Sequence, residues 1–107
     1  MDPRIEKLLA AFESKGWQYK GTVDVADWWF SDILQLLSGW SPVNANLYIT
    51  LLTDPEILNK KIVWAIGFST HLPDNRHFIF IDQVTLNDIS KINISEFVGR
   101  ITDAALL

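Results

Sequence analysis

His71 and His77 are the only histidines in the chain, and they flank the turn sequence Leu72-Pro73-Asp74-Asn75-Arg76. A hairpin closing at this turn would bring two imidazoles to one place, with the Asp74 carboxylate between them. Two histidines and a carboxylate are a known metal-ligand set. Two histidines alone rarely define a site, however, and solvated loop side chains beside Asp74 and Arg76 are the simpler reading. No metal is therefore expected. Ser69 and His71 stand two apart, so extended chain would place hydroxyl and imidazole on one face. Gly67-Phe68-Ser69-Thr70-His71 begins like a nucleophile elbow, but His71 replaces the second glycine and a turn follows instead of a helix. There is no cysteine, and the five glycines form neither a dinucleotide fingerprint nor a phosphate-binding loop. An enzyme built on His71, Arg76 and His77 is the weakest reading, and neither catalysis nor a cofactor is expected.

The second concentration of chemistry is Asp27–Trp40 (DWWFSDILQLLSGW), which holds three of the five tryptophans. Apolar residues at 29, 33, 36, 37 and 40 follow the helical period, and the spacing predicts a helix from Asp24 or Asp27 to about Leu37. On such a helix Trp28 and Trp29 stand about 100° apart, so one of them falls at the margin of the core. Tryptophan at a core margin suits a protein–protein hot spot. Asp27 and Asp32 are five apart and do not stack on one helical face. Asp24 or Asp27 serves better as the helix cap. The candidate binding residues are Asp24, Asp27, Trp28, Trp29, Asp32 and Trp40. Asp82 shares an alternating face with Phe78 and Phe80, and an exposed strand end would accommodate its charge.

The elements that must position these groups follow from periodicity. Asp2, Pro3 and the stripe Ile5, Leu8, Leu9, Phe12 predict a capped helix over 3–15 that stops at Gly16. Residues 17–25 alternate as an edge strand or extended linker with Gly21 in the middle. Residues 46–53, 61–69 and 77–84 read as strands, with a helical turn over 55–59 after Asp54-Pro55. In 61–69, Ile62, Trp64, Ile66 and Phe68 should face one way, with Val63, Ala65 and Gly67 facing the other. The last helix covers 94–105, capped by Asn93 or Ser95, with Ile94, Phe97, Val98, Ile101 and Ala105 on its apolar face.

The expected architecture is one compact α+β domain over 1–107. It is an antiparallel meander of three to four strands with three helices, in the order α-(β)-α-β-β-β-α. The helices should cover one face of the sheet. The strands at 46–53 and 77–84 are apolar on both alternating sets, so the other face should also be covered, by a helix, a second copy or a partner.

Composition narrows the function. An apolar fraction of 49% with 21% charged residues belongs to a folded chain. The net charge of −4 and the scattered basic residues give no field for a polyanion, so no nucleic acid is expected. No apolar run approaches a membrane span, and residues 1–16 lack the pattern of a signal peptide. With no cysteine, a cytoplasmic location is expected. These features predict a non-enzymatic protein–protein interaction module of adaptor, chaperone-like or immunity-like kind, with a protein partner or a second copy as ligand. The alternative is a small-molecule pocket, lined by aromatics, between the Trp-rich helix and the sheet.

Overall fold

The computed structural model describes residues 2–23, 30–38, 45–53, 62–73 and 79–106; for Phe30 and Ser31 it describes the backbone alone. The elements run α1 (Pro3–Ser14), β1 (Trp17–Val23), β2 (Phe30–Ser38), β3 (Asn46–Thr53), β4 (Val63–Ser69), β5 (Asp82–Thr85), α2 (Leu86–Ile89) and α3 (Ile94–Ala105). The strands form one antiparallel sheet in the order β1-β2-β3-β4-β5. The fold is thus α+β with a sequential meander, but of five strands among the described residues. None of the helices described is long and apolar enough to cross a membrane.

The additional strand corrects the sequence reading. Residues 30–38 are β2, paired with β1 on one side and β3 on the other, and not the second half of a helix. Ile33, Leu34 and Leu36 are fully buried. Leu34 and Leu36 enter the cluster beneath the helices, whereas Ile33 enters the cluster on the opposite face. A strand buried on both faces has a near-continuous apolar sequence, and residues 33, 36 and 37 satisfy a helical period by coincidence. A pocket between a Trp-rich helix and the sheet therefore has no basis over 30–38. Asp24, Asp27, Trp28, Trp29 and Trp40 lie outside the described residues, as do the turn over 55–59, Asp74, Arg76 and His77.

All three helices cover one face. Ile5, Leu8 and Phe12 of α1, Leu86 and Ile89 of α2, and Phe97, Val98 and Ile101 of α3 pack on Leu34, Leu36, Leu47, Ile49, Leu51, Ile66 and Phe68. Phe68 sits at the middle of this layer, with its ring centroid 5.8 Å from Phe12 and 5.3 Å from Phe97. The caps are local. Asp2 accepts the Arg4 backbone N–H at 2.8 Å, and Asn93 accepts that of Glu96 at 3.1 Å. Gly16, at φ 101°, ends the first helix.

The other face is also closed. Ile33, Thr50 and Ala65 are fully buried, and among the described residues Phe80 packs against the cluster of Ile33, Leu52 and Ala65. Among the described residues, Val23, Tyr48 and Phe80 are partly buried against the cluster on that face.

Three register shifts redirect side chains. In β1 the shift falls between Tyr19 and Gly21, where Gly21 adopts φ 103°, a conformation open to glycine. It allows Trp17 to join the helix-side cluster while Val23 joins the other. The second shift, in β2, falls between Phe30 and Ile33, and the third leaves Trp64 as an extra residue between Val63 and Ala65 of β4. The expected face for 61–69 is accordingly corrected. Val63 packs with the helix-side cluster alongside Ile66 and Phe68, while Ile62 and Trp64 are 50% and 47% exposed. The third predicted strand is shorter than expected. Residues 79–81 adopt no strand, and Ile79 and Ile81 are exposed.

Trp17 fastens β1 to α3. Its indole N–H donates to Thr102 Oγ1 at 3.0 Å, and that hydroxyl donates to the Val98 carbonyl at 2.8 Å. Thr102→Val retains the shape but removes the acceptor from a buried donor. It should destabilise the fold by about 1–3 kcal/mol, read as a lowered urea midpoint with unchanged slope.

Candidate functional site

Two of the three bulges fall at the same end of the sheet. In β2, Ser31 and Asp32 together oppose Leu51, since Phe30 pairs with Leu52 and Ile33 with Thr50. In β4, Trp64 is the extra residue beside Leu52 and Thr53, since Ala65 pairs with Leu52 and Val63 with Thr53. Bulges interrupt the ladder and re-aim side chains, and they concentrate near functional sites. Here they flank the end of β3 from both neighbouring strands.

An open cleft of about 560 Å³ lies at this end, lined by Asp2, Arg4, Ile5, Asp32, Leu51, Ile62, Val63 and Leu86. Its floor is apolar. Ile5, Leu51 and Leu86 are buried members of the helix-side core, and Val63 packs against them. Its rim carries the charges. Arg4 Nε and Nη2 donate to the two Asp2 carboxylate oxygens at 3.1 and 2.9 Å, and Arg4 Nη1 donates to the Leu86 carbonyl at 3.2 Å. One guanidinium thereby joins the start of α1 to the start of α2. The side-chain hydrogen bond from Arg4, followed by the Arg4 backbone N–H, holds the Asp2 carboxyl below its usual range.

Asp32 differs from Asp2. It is exposed, and its carboxylate makes no hydrogen bond or ion pair among the described residues. Of the six residues singled out in the sequence, Asp32 alone can be placed, and the structure puts it on this cleft. Ile62 and Trp64 were expected to share a face with Ile66 and Phe68, yet both are half-exposed, and Ile62 lines the cleft. Nothing in the sequence marks the bulge that displaces them.

The other candidate groups remain apart. Ser69 is buried, and its hydroxyl donates to the His71 backbone carbonyl at 2.8 Å, so it is held by the chain and not by the imidazole. His71 is exposed. No three His, Asp or Glu side chains among the described residues are grouped to hold a metal ion. Asp82 caps its own strand by accepting the Gln83 N–H at 2.8 Å. Among the described residues the cleft presents an apolar floor and the Asp32 carboxylate, with no nucleophile paired with a base.

The Asp2–Arg4 contact has a pH signature. A carboxyl whose pKa is lowered on folding stabilises the fold above its unfolded pKa, and the contribution is lost as pH falls through the folded value. Asp2→Asn keeps a cap acceptor and removes the titration. Its stability should depend less on pH than the native protein's across the acid limb, while Asp2→Ala should cost about 1 kcal/mol at neutral pH. Denaturant titrations of the three proteins at several acid pH values would measure both effects.

Comparison with known proteins returns no match: no family model, no curated protein and no solved structure matches this chain.

Proposed function

We propose that the chain is a non-enzymatic protein–protein interaction module of the cytoplasm and that the bulged end of the sheet is its contact surface. The observation that carries this reading is that Ile62, half-exposed, lines the cleft with Asp32, and that Trp64, two residues further along the chain, is also about half-exposed. Large apolar side chains left at a surface by an otherwise well-closed core are candidates for burial by a partner. Tryptophan is among the residue types enriched in the hot spots of such contacts. The free Asp32 carboxylate and the net charge of −4 favour a partner whose facing surface is basic. Trp28 and Trp29 belong to the same reading through the sequence alone; the surface just described stands without them. Absence of cysteine supports the compartment.

The test is capture of partners from native lysate on the tagged chain, followed by affinity measurement with the retained protein. Trp64→Ala should weaken the complex about 30-fold, equivalent to about 2 kcal/mol, because a hot-spot ring is lost. Its unfolding midpoint should change little, since the ring is half in solvent. A partner held equally well by native protein and by Trp64→Ala and Ile62→Ala variants would remove this surface from the interaction. Elution of the bait with only its own untagged copies would point to self-association.

A further inference from the structure

The cleft at the bulged end of the sheet carries an unbalanced charge. Its charged lining residues are Asp2, Arg4 and Asp32. Arg4 is already engaged, since Nε and Nη2 donate to the two Asp2 carboxylate oxygens and Nη1 donates to the Leu86 carbonyl. Asp2 and Arg4 therefore cancel, and Asp32 leaves the cleft lining with one net negative charge. Both oxygens of the Asp32 carboxylate are free of hydrogen bonds and ion pairs among the described residues.

Asp32 also breaks the pattern of its row. It stands two residues before Leu34 in β2, and Leu34 and Leu36 are fully buried beneath the helices. The row that enters the core as leucine ends at the cleft as a carboxylate. The apolar wall of the cleft is Val63 together with Ile62, which is 50% exposed, over a floor of Ile5, Leu51 and Leu86. An apolar wall beside a lone carboxylate is complementary to a side chain with an aliphatic stem and a cationic head.

We propose that the cleft is a socket for an arginine side chain of the partner protein. This inference rests on the interaction surface proposed above and names the group that the surface recognises. The stem lies along Ile62 and Val63, and the guanidinium meets Asp32 with two parallel N–H bonds, one to each oxygen. Arginine suits the site better than lysine, because its planar fork spans both oxygens of a carboxylate whereas an ammonium meets them as a point charge. The cleft, about 560 Å³ and open, has room for the side chain as it stands. The arginine belongs to a chain already held at Ile62 and Trp64, so the ion pair adds to an existing contact and bears no separate cost of association.

The test is selection of random linear peptides, displayed on phage, against the intact chain, followed by affinity measurement with the enriched peptides. Arginine should be enriched among them. Replacing that arginine by citrulline, which keeps the shape and removes the charge, should weaken binding about fivefold, the upper end for an ion pair at a solvent-exposed rim. Lysine at the same place should fall between the two. The Asp32→Asn variant should bind the arginine and citrulline peptides equally. Asp103→Asn removes the same charge from an exposed residue outside this cleft and should behave as the native chain does. Raised salt should narrow the difference between the two peptides.

Peptides that lose affinity on Trp64→Ala but bind the native and Asp32→Asn chains equally would overturn the socket and leave the contact surface standing. An equal loss on Asp32→Asn and Asp103→Asn would also overturn it, since net charge alone would then explain the attraction. A selection that enriches no peptide would overturn it too. Peptides indifferent to both Trp64→Ala and Asp32→Asn would remove the contact surface together with the socket. Should Asp32→Asn fail to fold, the arginine and citrulline peptides decide the matter on the native and Asp103→Asn chains.

Discussion

Burial on both faces of the sheet is the constraint from which the remaining architecture follows. β2, β3 and β4 each send apolar side chains to both sides, with Leu34, Leu36, Ile49 and Ile66 beneath the helices and Ile33, Leu52 and Ala65 opposite. Neither set can be left in water without forfeiting the burial that offsets the entropy of ordering the chain. On the helix side the cover is a three-helix layer, and its pieces must be fixed to the sheet and to one another. Trp17–Thr102 fixes β1 to α3, and Arg4 fixes α1 to α2 through Asp2 and the Leu86 carbonyl. The first of these contacts is buried and the second part-buried, and in each the donor finds its acceptor within the chain.

A sheet covered on both sides has little freedom to display chemistry, and the bulges restore some of it. Each inserts a single residue and so exchanges the faces of everything beyond it. In β1 this sends Trp17 to the helices and Val23 to the other side. In β4 the same device leaves Trp64 out of the alternation and Ile62 at the surface. The exposed apolar residues at this end are thus a consequence of register, and not of an apolar sequence too long for its core.

What the sequence disclosed depended on how many sides of an element are buried. α1 and α3 each bury one stripe, and both their periodicity and their caps at Asp2 and Asn93 were legible to within a residue. β3 and β4 were legible as strands from their β-branched and aromatic content. β2 was not, because a doubly buried strand loses the alternation that distinguishes it, and the residues of FSDILQLLS fit a helical wheel equally well. The bulge at Asp32 disturbed the remaining pattern. α2 did carry a signal, since Thr85 caps it by accepting the Asp88 N–H, but four residues leave no period to read. The candidate surface was legible only at Asp32. Trp64 and Ile62 owe their exposure to a register shift, a property of two paired strands that neither strand's sequence contains.

The same reasoning explains why the proposed contact surface stands where it does. Leu51 and Thr50 are consecutive in β3 and project to opposite sides, the first onto the floor of the cleft and the second to the face where Phe80 covers Gly67. Elsewhere along β3, Leu47 and Ile49 are fully buried beneath the helices and carry no polar group. Among the described residues, the packing of this sheet is interrupted where bulges open its end and where Gly67 lowers its surface. Asp32 and Trp64 stand at the first kind of opening, and Thr50 stands beside the second. Among the described residues, Ile62 and Trp64 are left exposed where a register shift interrupts the packing of the sheet.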